Sequence, residues 1–193
     1  MRELLNTAVH KDKLILISTL GAFLSEKLGW ALYEGDDFHP KENIEKMADG
    51  KPLTDQDRLP WLLKLHDVIS KERCSSCDAI VVCSALRRLY RQILLHGHQA
   101  VTSSTCPDQE IPLPIIPDVH FIFLYGTYEL IHRRMAARRG HFMNVDMLRS
   151  QFSVLEPPLE EKNVLPLDIK MSVPDIAMEI EKHLLSLKSP LVL

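Results

Sequence analysis

Two kinds of charged side chain recur in this sequence at spacings suited to chemistry on a phosphate group. Two adjacent carboxylates, Asp36 and Asp37, precede His39. Guanidinium groups follow in two clusters further along the chain, Arg87, Arg88 and Arg91, and then Arg133, Arg134, Arg138 and Arg139. In phosphoryl transfer a carboxylate accepts a proton from a hydroxyl group, while guanidinium groups stabilise charge on the phosphate oxygens. The combination indicates a phosphoryl-transfer site, whereas each cluster alone is equally typical of a helix cap or a solvated helix face.

The elements that must position these clusters form a repeating strand and helix pattern. Five short apolar stretches alternate with helical patterns: Leu14–Ile17, Ala31–Glu34, Ala79–Ser84, His120–Tyr125 and Val164–Ile169. Such alternation predicts a parallel sheet, and the near-continuous apolar runs at 79–84 and 120–125 predict helices on both of its faces. Ligands of such sheets bind beyond the carboxyl ends of the strands. We therefore expect an α/β fold that brings the charged clusters to one edge.

Local signals place helix ends and one long loop. Pro60 is predicted to occupy a first helical position, and Ser172 with Asp175 forms a capping-box pattern ahead of a C-terminal helix. Segment 97–117 contains several prolines and no clear period, so it is predicted to be an exposed loop. A length of 193 residues predicts a single domain spanning 1–193.

Composition and charge argue against several classes of function. A net charge of -3 and a pI near 6.3 predict no nucleic-acid partner and no membrane partner. Lys11 and Lys13 ahead of the apolar stretch 14–24 imitate a signal peptide, but no A-x-A cleavage site follows, so we expect a cytoplasmic location. The pair Cys74 and Cys77 offers only two of the four ligands that a structural zinc ion needs, so it does not by itself predict a zinc site.

Several sequence blocks, in their order and spacing, resemble the signature blocks of the gluconokinase family. They are GDDFHP at 35–40, PLTDQDR-x-PWL at 52–62, CSALRR-x-YR at 83–91, and GHF at 140–142 followed by LEPP at 155–158. Members of this family are ATP-dependent kinases that convert D-gluconate to 6-phosphogluconate in carbohydrate acid metabolism. The resemblance implies a P-loop nucleoside-kinase-like three-layer sandwich, with a five-stranded parallel sheet, helices on both faces and a small helical lid at about 138–151.

The resemblance also implies roles for five residues around the acceptor. Asp36 is expected beside the reacting hydroxyl, as proton acceptor or water-mediated magnesium partner, with capping of the next helix as the alternative. His39 and Arg58 are expected to shape the gluconate pocket, because a guanidinium fork matches a carboxylate; Arg58 is alternatively a surface ion-pair residue. Arg87, where the family usually has lysine, and Arg91, one helical turn further on, are expected to hold gluconate or the transferred phosphate. Arg87 and Asp36 are the expected catalytic residues.

On the nucleotide side the resemblance implies ATP with Mg²⁺ and a lid that closes over the phosphates. Arg134 and Arg138 resemble the lid arginines, and His141 is either a substrate-binding or a structural histidine. Ser18 matches the family's magnesium-ligating hydroxyl, and Thr19 is expected to bind the nucleotide beside it. The family resemblance further implies a homodimer.

The family's glycine-rich phosphate loop, G-x-x-x-x-G-K-[ST], is missing from this sequence, and residues 1–13 also depart from the family's usual start. In the family, the backbone N–H groups and the lysine of this loop bind phosphates. In this sequence only Ser18 and Thr19 remain of the loop. A strand at 14–17 cannot reverse into the next helix without connecting residues, so either residues 17–20 unwind or the strand comes from further upstream. Loss of the loop predicts a steep fall in ATP affinity and turnover. A non-catalytic gluconate-binding or dimerising relative, and a kinase of another hydroxylated acid, are the alternatives.

Overall fold

The computed structural model describes residues 2–6, 11–104, 113–136 and 145–188. The strands are β1 (Arg2–Asn6), β2 (Ala31–Glu34), β3 (Ala79–Cys83), β4 (Val119–Tyr125) and β5 (Val164–Asp168). The helices are α1 (Lys11–Leu28), α2 (Lys41–Ala48), α3 (Asp55–Ser75), α4 (Arg88–His96), α5 (His98–Ser104), α6 (Tyr128–Ala136), α7 (Val145–Val154) and α8 (Val173–Lys188), and a short 3₁₀ turn spans Gly35–Phe38.

The strands form a parallel sheet in the order β2-β3-β1-β4-β5. Alternate residues of β3 face opposite helical layers: Ile80 and Val82 pack with the apolar residues of α1, α6 and α8, whereas Val81 and Cys83 pack with those of α3, α4 and α5. A strand covered on both faces has no polar side, which explains its continuous apolar run. The prediction of an α/β fold with helices on both faces of a parallel sheet is confirmed.

The first strand lies upstream of its predicted position. Leu14–Ile17 was predicted to be this strand, but the segment lies within α1, and Arg2–Asn6 pairs with β3 and β4 instead. A strand at 14–17 would leave no residues for the reversal into the helix, whereas a strand at 2–6 leaves residues 7–10 for it. The predicted position of the first strand was therefore wrong. Of the two alternatives given in the sequence analysis, the fold adopts the strand from further upstream.

Two further predictions need correction. Helix α3 begins at Asp55 rather than Pro60, because Thr54 and Asp57 form a capping box: the Asp57 N–H donates to Thr54 Oγ1 at 3.2 Å and the Thr54 N–H to Asp57 at 2.7 Å. Part of the predicted loop at 97–117 is helix α5, whose Ala100 is buried against α3 and α4. At Ser172 half of the predicted capping box is present: the Asp175 N–H donates to the Ser172 hydroxyl at 3.3 Å, and that hydroxyl donates to the Asp175 carboxylate at 2.6 Å.

Gly35 lies where the chain leaving β2 approaches β3 too closely for a side chain. A Cβ at this position would lie 2.6 Å from the Val82 carbonyl oxygen and 2.9 Å from Cβ of Cys83. We expect Gly35→Ala to lower the free energy of unfolding by about 1–3 kcal/mol, because the backbone of one strand must move. Urea denaturation measures the loss. Gly29→Ala is the control: it has a φ of 71° but open space around the new Cβ, so it reports backbone strain alone. Equal losses in both variants would exclude the close approach as the cause.

Candidate active site

The carboxyl ends of β2 and β3 lie side by side, because Glu34 pairs with Val82 in the sheet. Asp36 and Asp37 follow on the 3₁₀ turn and are exposed. Burial raises the pKa of Glu34 above its usual value, a hydrogen bond from Ser18 opposes this, and the charges of Asp36 and Asp37 raise it further. The edge therefore carries a concentration of negative charge, which a cation or a hydroxyl proton would relieve.

A buried tryptophan fixes the segment after β2. The Trp61 indole N–H donates to the Gly35 carbonyl oxygen at 2.6 Å, and its side chain is fully buried. The ring of His39 stacks on that indole, with centroids 4.4 Å apart and planes 11° apart. Helix α3 thus holds the Asp36 turn and His39 in one rigid unit.

His39 is neutral at pH 7. Burial lowers its pKa to about 4, and the nearby charge of Arg58 contributes. The side-chain amide nitrogen of Asn43, which only donates, lies 3.4 Å from Nδ1 of His39. Nδ1 is therefore the acceptor, and Nε2 carries the proton of the neutral ring.

The depressed pKa of His39 predicts a pH-dependent stability. In the unfolded chain the pKa is 6.5, so between pH 6.5 and about 4 the unfolded state binds one more proton than the folded state. The stability that this pKa difference contributes is fully present above pH 6.5 and is lost as the pH falls towards 4. We expect the free energy of unfolding to fall over this window, and to fall less steeply in His39→Gln. Urea titrations at several pH values compare the two slopes, and identical slopes would contradict the assignment.

The guanidinium group of Arg58, at the start of α3, makes no ion pair with a described carboxylate. Its Cζ lies 5.8 Å from the ring centroid of Tyr90, and among the residues that the structure describes no carboxylate pairs with it. Burial lowers its pKa, opposed by Tyr90 and Asp55 and assisted by Arg87. A half-buried cation that no described carboxylate pairs with directly, although the charges of Asp55 and Asp57 act on it, is a suitable ligand for an anionic substrate group. The alternative of a surface ion-pair residue is not supported.

Arg87 belongs to a connected polar cluster beside Arg58. Its Nη1 donates to Oδ2 of Asp55 at 2.6 Å, and the Tyr90 hydroxyl bonds the other oxygen of the same carboxylate. Burial raises the pKa of Tyr90. The cluster joins the start of α3 to the start of α4, so it holds Arg87 close to the carboxyl edge.

Arg91 does not lie in this cluster. It is 1% exposed, its Nε and Nη2 donate to Glu161, and its Nη1 donates to the Ala85 carbonyl at 3.0 Å. All three guanidinium nitrogens are thus occupied by protein oxygens. The predicted substrate role of Arg91 is not supported; the pair ties α4 to the segment before β5.

Ser18 lies at the carboxyl edge of β2, although it is well inside α1. Its hydroxyl donates to Oε2 of Glu34 at 3.0 Å. Helix α1 begins at Lys11, so residues 11–17 extend beyond this level by about 10 Å, or about two turns. These turns occupy the side of the sheet where a phosphate loop would follow β1. Thr19 is exposed on the same helix.

The remaining predicted nucleotide ligands are only partly described. Arg134 is exposed in the last turn of α6, and Arg138 and His141 lie outside the described residues, as does the 138–144 part of the predicted lid; its remainder belongs to α7. Over the described ranges, no group of three or more His, Cys, Asp or Glu side chains forms a metal site. In the same ranges no helix has the length and apolar character needed to cross a membrane.

Sequence reasoning missed four residues that shape the site. Glu34 was assigned only to a strand, and Trp61, Asp55 and Tyr90 appeared only inside the family-like blocks, without a role of their own. For Trp61, Asp55 and Tyr90 the signal was their place inside the family-like blocks beside Arg58 and Arg87. Glu34 had a signal in its position, directly before the Asp36 turn.

Comparison with known proteins identifies relatives that cover nearly the whole chain. No sequence-family model matches it. It is 41% identical over 165 residues to the "Probable gluconokinase" of Rattus norvegicus, covering 84% of this chain and 88% of that protein. A solved gluconokinase from Sinorhizobium meliloti 1021 is 29% identical with a TM-score of 0.69, covering 97% of each chain. An unliganded sugar kinase from Janibacter sp. HTCC2649 is 28% identical with a TM-score of 0.78, covering 98% of this chain and 99% of that one.

Proposed function

Because this chain belongs to the gluconokinase family, we propose that it transfers the γ-phosphoryl group of ATP to D-gluconate, forming 6-phosphogluconate. The observation that carries the proposal is Arg58, a half-buried guanidinium without an anionic partner among the described residues. It lies on the same helix as Trp61, which positions the Asp36 turn. An anion site next to an acidic turn suits a substrate with both a carboxylate and a reacting hydroxyl.

Each acceptor-side residue receives a role that its contacts support. Arg58 binds the gluconate carboxylate through two parallel N–H bonds. His39, neutral and protonated at Nε2, donates a hydrogen bond to a substrate hydroxyl. Asp36 accepts the proton of the hydroxyl that attacks the phosphate. Arg87, held by Asp55, faces the transferred phosphate and stabilises its charge.

On the nucleotide side, oxygen ligands for Mg²⁺ are present at the carboxyl edge. Ser18 Oγ and the Glu34 carboxylate lie within a hydrogen bond of each other, and Mg²⁺ prefers one or two such ligands together with substrate phosphates. The ion, when bound with ATP, neutralises charge on the phosphate oxygens. Ser18 is the residue we assign to it, with Glu34 beside it.

This chain departs from its family at the glycine-rich phosphate loop. The first turns of α1 extend over the carboxyl edge where the loop belongs, so ATP phosphates meet a helix instead of a ring of N–H groups. Thr19, Arg134, Arg138 and His141 keep their predicted roles near ATP or gluconate, and a homodimer, a helical lid and a cytoplasmic location stay predictions.

A coupled assay of ATP consumption tests the proposal, with Mg²⁺ and with or without gluconate. Gluconate-dependent turnover supports a kinase, and a panel of sugar acids then ranks the acceptors. If turnover is absent, thermal unfolding with each ligand decides: stabilisation by gluconate but not by ATP would overturn the kinase function and leave a gluconate-binding relative.

A further inference from the structure

Two histidine rings meet far from the site described above. His120 is the second residue of β4 and lies about 16 Å along that strand from its carboxyl end, whereas His183 lies on α8. The rings make an edge-on contact, with centroids 5.4 Å apart and planes 76° apart. His120 is only 6% exposed. The pair therefore forms a polar cluster inside the layer between the sheet and α8.

The tautomer of His120 follows from its one hydrogen bond. Its Nε2 lies 3.1 Å from the Pro117 carbonyl oxygen, and a carbonyl oxygen only accepts. Nε2 therefore carries the proton, and Nδ1 has a free lone pair. Metal-binding histidines commonly donate one N–H to a backbone carbonyl in this way and bind the metal through the other nitrogen.

Both rings leave a buried nitrogen without a partner. His120 Nδ1 and His183 Nε2 have no hydrogen-bond partner among the described residues. Buried polar atoms are usually satisfied, so two such atoms on neighbouring rings suggest a missing ligand. Burial lowers the pKa of both histidines.

The separation of the rings fits one metal ion between them. With a metal–nitrogen distance of about 2.1 Å, an imidazole centroid lies about 3.2 Å from the ion, so two tetrahedrally placed rings have centroids about 5.2 Å apart. The observed separation is 5.4 Å. We propose that His120 Nδ1 and His183 Nε2 bind a transition-metal ion that prefers imidazole ligands, such as Zn²⁺. Among the described residues, His, Cys, Asp and Glu side chains form no group of three or more that could hold the ion, so these two nitrogens are the ligands we assign.

Metal titration of an untagged, chelator-treated protein tests this site. Cys74 and Cys77 are exposed thiols that also bind zinc, so the background protein carries Cys74→Ser and Cys77→Ser. We expect one equivalent of Zn²⁺ by equilibrium dialysis, and visible absorption of bound Co²⁺ without thiolate charge-transfer bands. His183→Gln is expected to weaken binding by at least about tenfold. His98→Gln, at an exposed residue, is the matched control and should bind as the background does.

Folding of the variants is checked by circular dichroism and urea unfolding without metal. If His183→Gln is misfolded, the site is tested on the background protein by NMR. Paramagnetic Ni²⁺ should then broaden the ring signals of His120 and His183 before those of the other histidines. Unchanged affinity in folded His183→Gln, broadening of other histidines first, or no saturable binding in the background would each overturn the proposal.

Discussion

The variant Lys11→Gly/Leu16→Gly/Ile17→Lys is expected to phosphorylate gluconate at least about tenfold faster than the unmodified chain. Residues 11–18 read KDKLILIS, and these three substitutions turn them into GDKLIGKS, which matches G-x-x-x-x-G-K-S without changing the length. The two glycines favour unwinding of the first turns of α1, each costing about 1 kcal/mol in a helix. Ser18, already beside Glu34, then stands at the new start of the helix.

The physical reason for the gain is the return of backbone N–H groups and a lysine to the phosphates. Single donors aimed at transition-state charge are worth roughly 10²–10³ in rate, so even a partly formed loop should be detected. The coupled ATP assay measures kcat with saturating gluconate. Lys11→Gly/Leu16→Gly/Ile17→Ala keeps the glycines without the lysine and should recover less.

Circular dichroism and gluconate binding show whether the loop variant keeps the rest of the fold. A variant that is folded, binds gluconate and turns over no faster than the unmodified chain would mean that the missing loop does not limit this protein. Such a result would direct attention to the remaining nucleotide-side residues, Arg134 foremost, since it lies in the described part of the chain.

The sequence predicted the parallel sheet and the helical layers on both of its faces, because alternating apolar stretches and helical patterns are typical of an α/β fold. The roles of the acceptor-side residues stay predictions. Sequence reasoning failed where a pattern was ambiguous. The apolar run LILI at 14–17 is equally typical of a strand and of a buried helix. Only the need for a chain reversal between β1 and α1 shows that this run belongs to the helix. Residues Leu20 and Leu24 then continue the helix into the core.

Arg91 shows a second kind of failure. It was placed beside Arg87 by helical spacing, but Arg87 is the N-cap of α4 with φ -106° and ψ 152°, so helical spacing does not apply from it. Arg87 points to Asp55, whereas Arg91 turns inward to Glu161. Glu161 is 70 residues away along the chain, and no local signal announces such a pair.

Arg58→Ala is expected to weaken gluconate binding at least about a hundredfold, because two charge-assisted hydrogen bonds of about 1.5–3 kcal/mol each are lost. Arg58→Lys keeps the charge but not the fork, so an intermediate loss is expected. Isothermal titration calorimetry with gluconate measures both without requiring turnover, so the result does not depend on the phosphate loop. Arg73→Ala is the matched control, since Arg73 pairs with Asp118 at the opposite end of α3.

The uncharged polyol with the same carbon chain separates a binding role from a structural one. If Arg58 contacts the substrate carboxylate, the unmodified protein prefers gluconate to the polyol, and Arg58→Ala loses that preference while its weak affinity for the polyol stays. Equal losses for both compounds would mean that Arg58 supports the pocket through its contact with Tyr90 rather than binding the acid. In that case the carboxylate must be held by another cation, for which Arg87 is the nearest candidate in the described cluster.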